Sequence, residues 1–316
     1  MFGLTFGSFL NVCIYRLPRD LSVVSPRSMC PNCGEAIAFY DNIPVLSWIM
    51  LRGRCRNCKA RISPRYAIVE LLTGIFFVLA WLVPRAKWFA DGYRRITLSS
   101  FGAVFVSYEP SALAFQLSAL AFFLVGLIFT DAETKLLPDL LTKPGIAVGL
   151  AFSLVVPVEG PARFFFHGIE NWRILSLLNS IAGAIVGSAF IFGVALAYQA
   201  LRKVEGMGRG DVKLMALIGA FLGLKLTLLV LLLGSLVGSC FGLLLIAVVW
   251  RKRLARRRRR HPAESSSAAS GRAWQSAQLV YRNFEIPFGV FLGSGALVAA
   301  FCGTVIIRWY LSFYWS

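Results

Sequence analysis

Two aspartates stand at the edges of long apolar runs. Asp131 closes the run Ser111–Thr130, and Asp211 opens another after the loop Glu205-Gly206-Met207-Gly208-Arg209-Gly210. A carboxylate at the mouth of a membrane helix is costly to bury and seldom present without a reason. Two of them at matching depths suggest one shared site, in which they cannot both ionise easily and hold one proton between them. Such a pair can direct a water at a carbonyl, one carboxylate as base and the other as proton donor, which is aspartic protease chemistry. Gly206, Gly208 and Gly210 leave the backbone before Asp211 free to take φ > 0 and to let another chain come close. The same spacing also admits helix N-caps or an ion relay, because Asp211 and Asp139 each begin an apolar run.

A second group of residues speaks for a metal. Cys30-Pro-Asn-Cys33 and Cys55-Arg-Asn-Cys58 are separated by 21 residues. Two CxxC knuckles at such spacing can set four thiolates around one tetrahedral Zn²⁺ with no open position, so the ion would fold the segment rather than catalyse. A small apolar core of Ile43, Val45, Leu46 and Trp48 is expected to benefit from that staple. Reduced, metal-free or redox-active cysteines are the alternative. Cys13, Cys240 and Cys302 lie in apolar runs and read as packing residues.

The elements that must position these groups are membrane helices. The chain is 57% hydrophobic with 26 Phe and a mean hydropathy of +0.69, and several windows exceed the ~18 apolar residues that suggest a span. The fold class is therefore an all-α polytopic membrane protein with about eight transmembrane helices and a small cytoplasmic zinc-ribbon-like insert. Residues 1–15 form a first span, short and broken by Gly3 and Gly7, as if the start were truncated. Residues 16–65 form the four-cysteine domain. Residues 66–316 form the main membrane domain, with a basic cytoplasmic loop at 251–285 that holds the arginine run Arg256–Arg260. Pro144-Gly145 is expected to kink the fourth span. The apolar stretch 211–250 is too long for one span and is divided near Gly223–Lys225, and Ile96–Tyr108 reads as a short hairpin or interfacial segment.

The net charge of +18 does not point to nucleic acid, because the basic residues gather in the short loops between spans. With this topology 25 Lys and Arg fall on one side and 8 on the other, which places both aspartates and the cysteine domain in the cytoplasm. The arginine run reads as an anchor to anionic lipid head groups of the bilayer.

Taken in order, these motifs resemble those of the bacterial type IV prepilin peptidases. Gly7-Ser8-Phe9-Leu10-Asn11-Val12 with Tyr15-Arg16-Leu17-Pro18 is similar to the family's opening. The two cysteine pairs, Tyr40-Asp41-Asn42-Ile43-Pro44-Val45-Leu46-Ser47-Trp48 between them, and Arg65-Tyr66 with Val69-Glu70 resemble the family's cysteine-bearing segment and the helix after it. Asp131 through Leu136-Leu137-Pro138-Asp139 is similar to the first aspartate motif. Gly206-Met207-Gly208-Arg209-Gly210-Asp211 is similar to the second, the GxGD signature, and Ile286-Pro287-Phe288-Gly289 resembles the closing motif.

The resemblance implies an aspartic endopeptidase of the bacterial inner membrane, with Asp131 and Asp211 as the catalytic pair and Asp139 in a supporting role. It implies prepilin or pseudopilin substrates of pilus or type II secretion systems, cut after the glycine that ends a short basic leader. It also implies N-methylation of the new N-terminal residue with S-adenosylmethionine, although no Rossmann-type glycine loop marks a cofactor site. Glu70, Glu133 and Glu205 are candidate contacts for the basic leader. Two alternatives stand beside this reading. A peptidase without methylation keeps the aspartate chemistry. A proton- or ion-coupled transporter would instead use the aspartates as a relay, but it should need polar groups at mid-span and inverted repeats. The sequence leaves the oligomeric state open.

Overall fold

The computed structural model describes residues 1–86, 109–166, 168–169, 171–203, 208–260, 265–282 and 287–313, and among them only helices and two isolated bridges occur. The helices are α1 (Phe2–Arg16), α2 (Leu46–Met50), α3 (Arg65–Leu82), α4 (Pro110–Thr134), α5 (Asp139–Phe152), α6 (Ala162–Phe165), α7 (Trp172–Arg202), α8 (Arg209–Arg260), α9 (Ser266–Arg282) and α10 (Phe288–Ser312). Ile96–Tyr108, Glu205 and Gly206 lie outside the described residues. Five helices, α3, α4, α7, α8 and α10, are long and apolar enough to cross a membrane. With 15 and 14 residues, α1 and α5 fall short of the ~30 Å that a span needs. The expected count of about eight spans is therefore not established.

The central helix is α4. Pro110 fits its first turn, where no N–H is needed, and Lys135 ends it in the left-handed region at φ 55°. Between them Leu117, Leu120, Ala121, Leu124 and Leu127 are buried against α3, α5 and α10. The helix runs on past the apolar run to Thr134, so Asp131 sits in its last turn. The intrahelical bonds of the last turn win over the sequence signal of a polar tail. Nor is α1 broken by its glycines. A Cβ on Gly3 would meet Phe77, and one on Gly7 would lie 2.6 Å from Glu70 Cα, so both serve close packing of α1 on α3.

Gly223 divides α8 with φ 70° and ψ 176°. Leu226 and Leu229 beyond it pack at Gly303 of α10, while Gly238 packs at Phe288 and Phe291, and Asp211 sits beside Gly289. The two arms of α8 are therefore antiparallel, as the excess length of the run predicts. A break among apolar helices frees carbonyls that water cannot reach, and these must be satisfied by protein. Ser180 Oγ donates to Ala220 O at 2.9 Å, and Gln116 Nε2 to Phe221 O at 3.0 Å. Close approach of α7 is possible because Gly183 and Gly219 meet without side chains; a Cβ on Gly219 would be 2.3 Å from Gly183 backbone.

Three expectations are corrected. Within the basic segment 251–285, expected as a loop, the described residues are largely helical: α8 continues through Arg260, and α9 packs on it through Ala269, Ala273 and Ala277, spaced one turn apart. Trp250 Nε1 donates to Ser270 O, and Arg253 to Ser276 Oγ. Cys240 and Cys302 are exposed and face away from the bundle, whereas Cys13 is buried as read. The expected core of the cysteine domain does not form, since Ile43 and Leu46 are exposed. Trp48 instead lies over Gly53 and donates from Nε1 to Ile62 O.

At the end opposite the aspartates, Glu159 is buried in the α5–α7 connection, 3.6 Å from Lys225 Nζ. Burial, only partly offset by Lys225, pushes its carboxyl up to about 6 from 4.5. The native state thus holds this proton more tightly than the unfolded chain. Stability is full below about pH 4.5 and falls by about 2 kcal/mol as pH rises through 6. Melting followed in detergent over this range should show that fall in the parent and not in Glu159→Gln; an unchanged slope would remove Glu159 as its source.

Candidate active site

Three helix ends meet around the two aspartates. Asp131 comes from the last turn of α4, Asp211 from the first turn of α8, and Gly289 and Val290 from the first turn of α10. Asp131 and Asp211 are 4% and 8% exposed. An ideal Cβ on Gly289 would lie 2.8 Å from Asp131 Oδ2 and 3.4 Å from Asp211 Oδ1, so the two carboxylates flank one point. They are close enough for the charge of one to act on the other. The pair is asymmetric. Val290 N–H donates to Asp131 Oδ2 at 3.0 Å, and the Gly289 N–H also serves that carboxylate. Asp211 takes no hydrogen bond from a described side chain or backbone group.

The segments beside the pair are tied down by charge. Asp139, at the first position of α5, pairs with Lys143 one turn on at 2.7 Å and with Lys213, two residues past Asp211. This links the start of α5 to the helix that carries Asp211. A Cβ on Gly210 would meet Leu137 at 3.0 Å, so the loop before Asp139 lies against the loop before Asp211. Asp139→Asn breaks both pairs at a half-exposed position. A fall of about 10-fold in activity, without its loss, is expected and can be read in an initial-rate assay.

The acidic candidates for substrate contact are placed differently. Glu133 pairs with Arg65, whose Nε is buried without a partner. Glu70 is buried and accepts from Val45 N–H at 2.7 Å, with Ser8 and Asn11 beside it. Asn11 Nδ2 also donates to Tyr66 O, while its Oδ1 is buried without a partner. These contacts dock the cysteine domain on α1 and α3. Glu205 and Gly206 lie outside the described residues, and Gly208 is exposed, with Gly210 N 3.9 Å from where its Cβ would stand.

Sequence reading quoted Gly289 and Arg65 as motif residues but gave Gly289, Val290, Arg65 and Lys213 no part in this region. A signal for Gly289 and Val290 was present. Gly289 follows Pro287 at the start of a helix that needs no left-handed residue there, which marks a close approach.

In the cysteine domain the knuckles repeat one geometry. Gly34 N–H donates to Cys30 O and Lys59 N–H to Cys55 O; Cys30 N–H donates to Glu35 O and Cys55 N–H to Ala60 O. Gly34 and Lys59, each just after the second cysteine of its pair, both take positive φ. The four sulfurs lie within 4.8 Å of one another, with Cys30 and Cys58 3.8 Å apart. Four sulfurs at ~2.3 Å from one ion would stand about 3.8 Å apart, so the donor set fits a tetrahedral metal. The Ala60 N–H and the Asn32 amide hold the Cys58 thiol down to about 6. Cys33 is favoured by the Glu35 N–H, yet desolvation and the neighbouring sulfurs push it up to about 11. Arg56, inside the second knuckle, grips Asp41 with two bonds of 2.6 and 2.7 Å and holds its carboxyl below the usual range.

Comparison with known proteins gives two family matches: the bacterial peptidase A24 N-terminal domain over residues 1–83 and the type IV leader peptidase family over residues 118–243. The prepilin leader peptidase/N-methyltransferase of Aeromonas hydrophila is 32% identical, with 99% of this chain and 92% of that protein covered. Its namesake from Neisseria gonorrhoeae is 32% identical over 83% of this chain and 84% of that protein. The one from Burkholderia pseudomallei (strain 1026b) is 30% identical over 96% and 84%. No solved structure matches the chain.

Proposed function

Because the chain belongs to the type IV leader peptidase family, we propose that Asp131 and Asp211 direct a water at the peptide bond that joins a prepilin leader to its mature helix. The chain is a multi-pass membrane aspartic peptidase that cleaves prepilins and N-methylates the product. The juxtaposition of the two carboxylates across Gly289 carries the assignment of residues.

One carboxylate takes the proton of the attacking water while the other gives a proton to the carbonyl oxygen, and the pair then returns a proton to the leaving amine. Asp131, oriented by Val290 N–H, is the fixed member, and Asp211 is the member free to turn toward the substrate. The glycine loop before Asp211 gives an unwound substrate backbone room to lie beside it. Glu70 and Glu133 hold partners of their own, so of the three acidic candidates Glu205 is left to meet the basic leader by its position next to the glycine motif. Asp139 supports the site through Lys213.

The four cysteines would hold zinc, which would close the two knuckles. The site faces the cytoplasm, and the helical arginine run at the end of α8 rests on anionic lipid head groups there. S-adenosylmethionine would supply the methyl group. Among the described residues no glycine-rich turn between a strand and a helix offers a nucleotide seat, so the transfer is assigned to the chain and to no residue of it. The ion-coupled transporter reading finds no support in the relatives.

The test is co-expression with a prepilin bearing a basic leader, with the product read by mass spectrometry. A shortened pilin carrying one methyl group supports both activities. A cut, unmethylated product keeps the peptidase alone, and an uncut prepilin removes the proposal.

A further inference from the structure

Among the described residues, the first turn of α10 is a wall of the site that the aspartate motifs do not supply. Its backbone reaches Asp131 through Val290 N–H at 3.0 Å. Its glycine stands where a side chain would touch both carboxylates. A Cβ on Gly289 would come within 2.8 Å of Asp131 Oδ2, 3.0 Å of Asp131 Cγ and 3.4 Å of Asp211 Oδ1. Real Cβ atoms do not approach to under 3.0 Å, so one carboxylate or the helix would have to move.

Other glycines of α10 are of a different kind. A Cβ on Gly303 would meet the ends of Leu226 and Leu229, flexible apolar side chains that can turn aside, and one on Gly293 would meet Ile128 Cγ1 and Cδ1 rather than a carboxylate. Asp131 cannot turn aside without leaving the Val290 N–H that orients it. Backbone freedom is not the reason for the glycine either, because residue 289 is helical.

We propose that Gly289 is a positioning residue of the peptidase site, whose missing side chain lets Asp131 and Asp211 face each other against the first turn of α10. This rests on the reading of the two aspartates as the catalytic pair. A displacement of a reacting group by about 1 Å can cost ~100-fold in rate, and Gly289→Ala is expected to lower kcat for prepilin cleavage by about that factor. KM should stay within about two-fold, as expected when the interaction lost is one made in the transition state. Gly303→Ala, which adds the same methyl group to the same helix against the end of Leu226, should keep most of the parent kcat.

A second readout separates positioning from loss of fold. In detergent, Gly289→Ala should lower the melting temperature of the parent but not that of Asp131→Ala, in which the space has been vacated. Equal lowering in both backgrounds, a change confined to KM, or full activity in Gly289→Ala would each overturn the proposal. If Gly289→Ala does not accumulate, the double variant with Asp131→Ala should; its failure to do so overturns it too. Asp131→Asn and Asp211→Asn belong in the same assay. Cleavage by either would remove the reading of the aspartates itself, whereas inactive aspartate variants beside a fully active Gly289→Ala would remove only the role of Gly289.

Discussion

Asp131→Asn and Asp211→Asn should each abolish leader cleavage, with rates at least about 10³-fold below the parent, while the protein accumulates normally in the membrane. Asparagine has the shape of aspartate and can still accept the Val290 N–H at position 131. What it lacks is the ability to take and return a proton. The substitution also removes a buried, mutually repelling charge, so the fold should lose nothing and the thermal midpoint should hold or rise. Activity and stability therefore move apart, which a structural aspartate would not allow. Initial rates on a purified prepilin, beside melting curves of the same preparations, would check this. A variant that unfolds, or one that cuts at more than a tenth of the parent rate, would count against the catalytic assignment.

Loss of the metal should have the second largest effect, and on a different part of the chain. The segment between α1 and α3 has little apolar core: Ile43, Leu46 and Phe39 are exposed, while Cys30 and Ser47 are its buried side chains. Its order rests on the two knuckles, the Arg56–Asp41 pair and the contacts of Trp48 and Val45. Binding energies of structural zinc in small domains, ~10–16 kcal/mol, far exceed what such contacts supply. Cys30→Ser, or chelation of the parent, should release about one zinc per chain and open residues 20–62 to protease. The helices from α4 onward, which hold both aspartates, should stay protected. Metal analysis and mass-mapped proteolysis read both outcomes. An ordered segment without zinc would show that the hydrogen bonds alone suffice.

Much of this was legible in the residues, because the strongest constraints were local. Lipid demands long apolar runs, so α3, α4, α7 and α10 stand close to where hydropathy puts them. The length of 211–250 forced a turn at Gly223, and the two CxxC pairs forced a four-sulfur cluster. What failed depended on tertiary packing. Gly3 and Gly7 read as helix breakers, but they are the surface on which α1 meets α3. The arginine-rich stretch after Trp250 read as loop because charge hides helix propensity, and pairing with α9 through three alanines makes it helical. Cys240 and Cys302 read as packing residues because nothing in an apolar run tells lipid from protein. The two aspartates were read as neighbours, and the structure places them so, whereas the first turn of α10 beside them was read only as a motif. Gly289 carries no chemistry of its own, and its meaning lies in what stands opposite.

The central claim is that Asp131 and Asp211 work as one unit. It is tested most directly by measuring cleavage of a prepilin in membranes by Asp131→Asn, Asp211→Asn and the double variant, with mass spectrometry of the product. Groups that act together lose function together, so the double variant should be no slower than either single one. Two modest, multiplying losses, or cleavage that persists in either single variant, would mean that the carboxylates do not share the reaction.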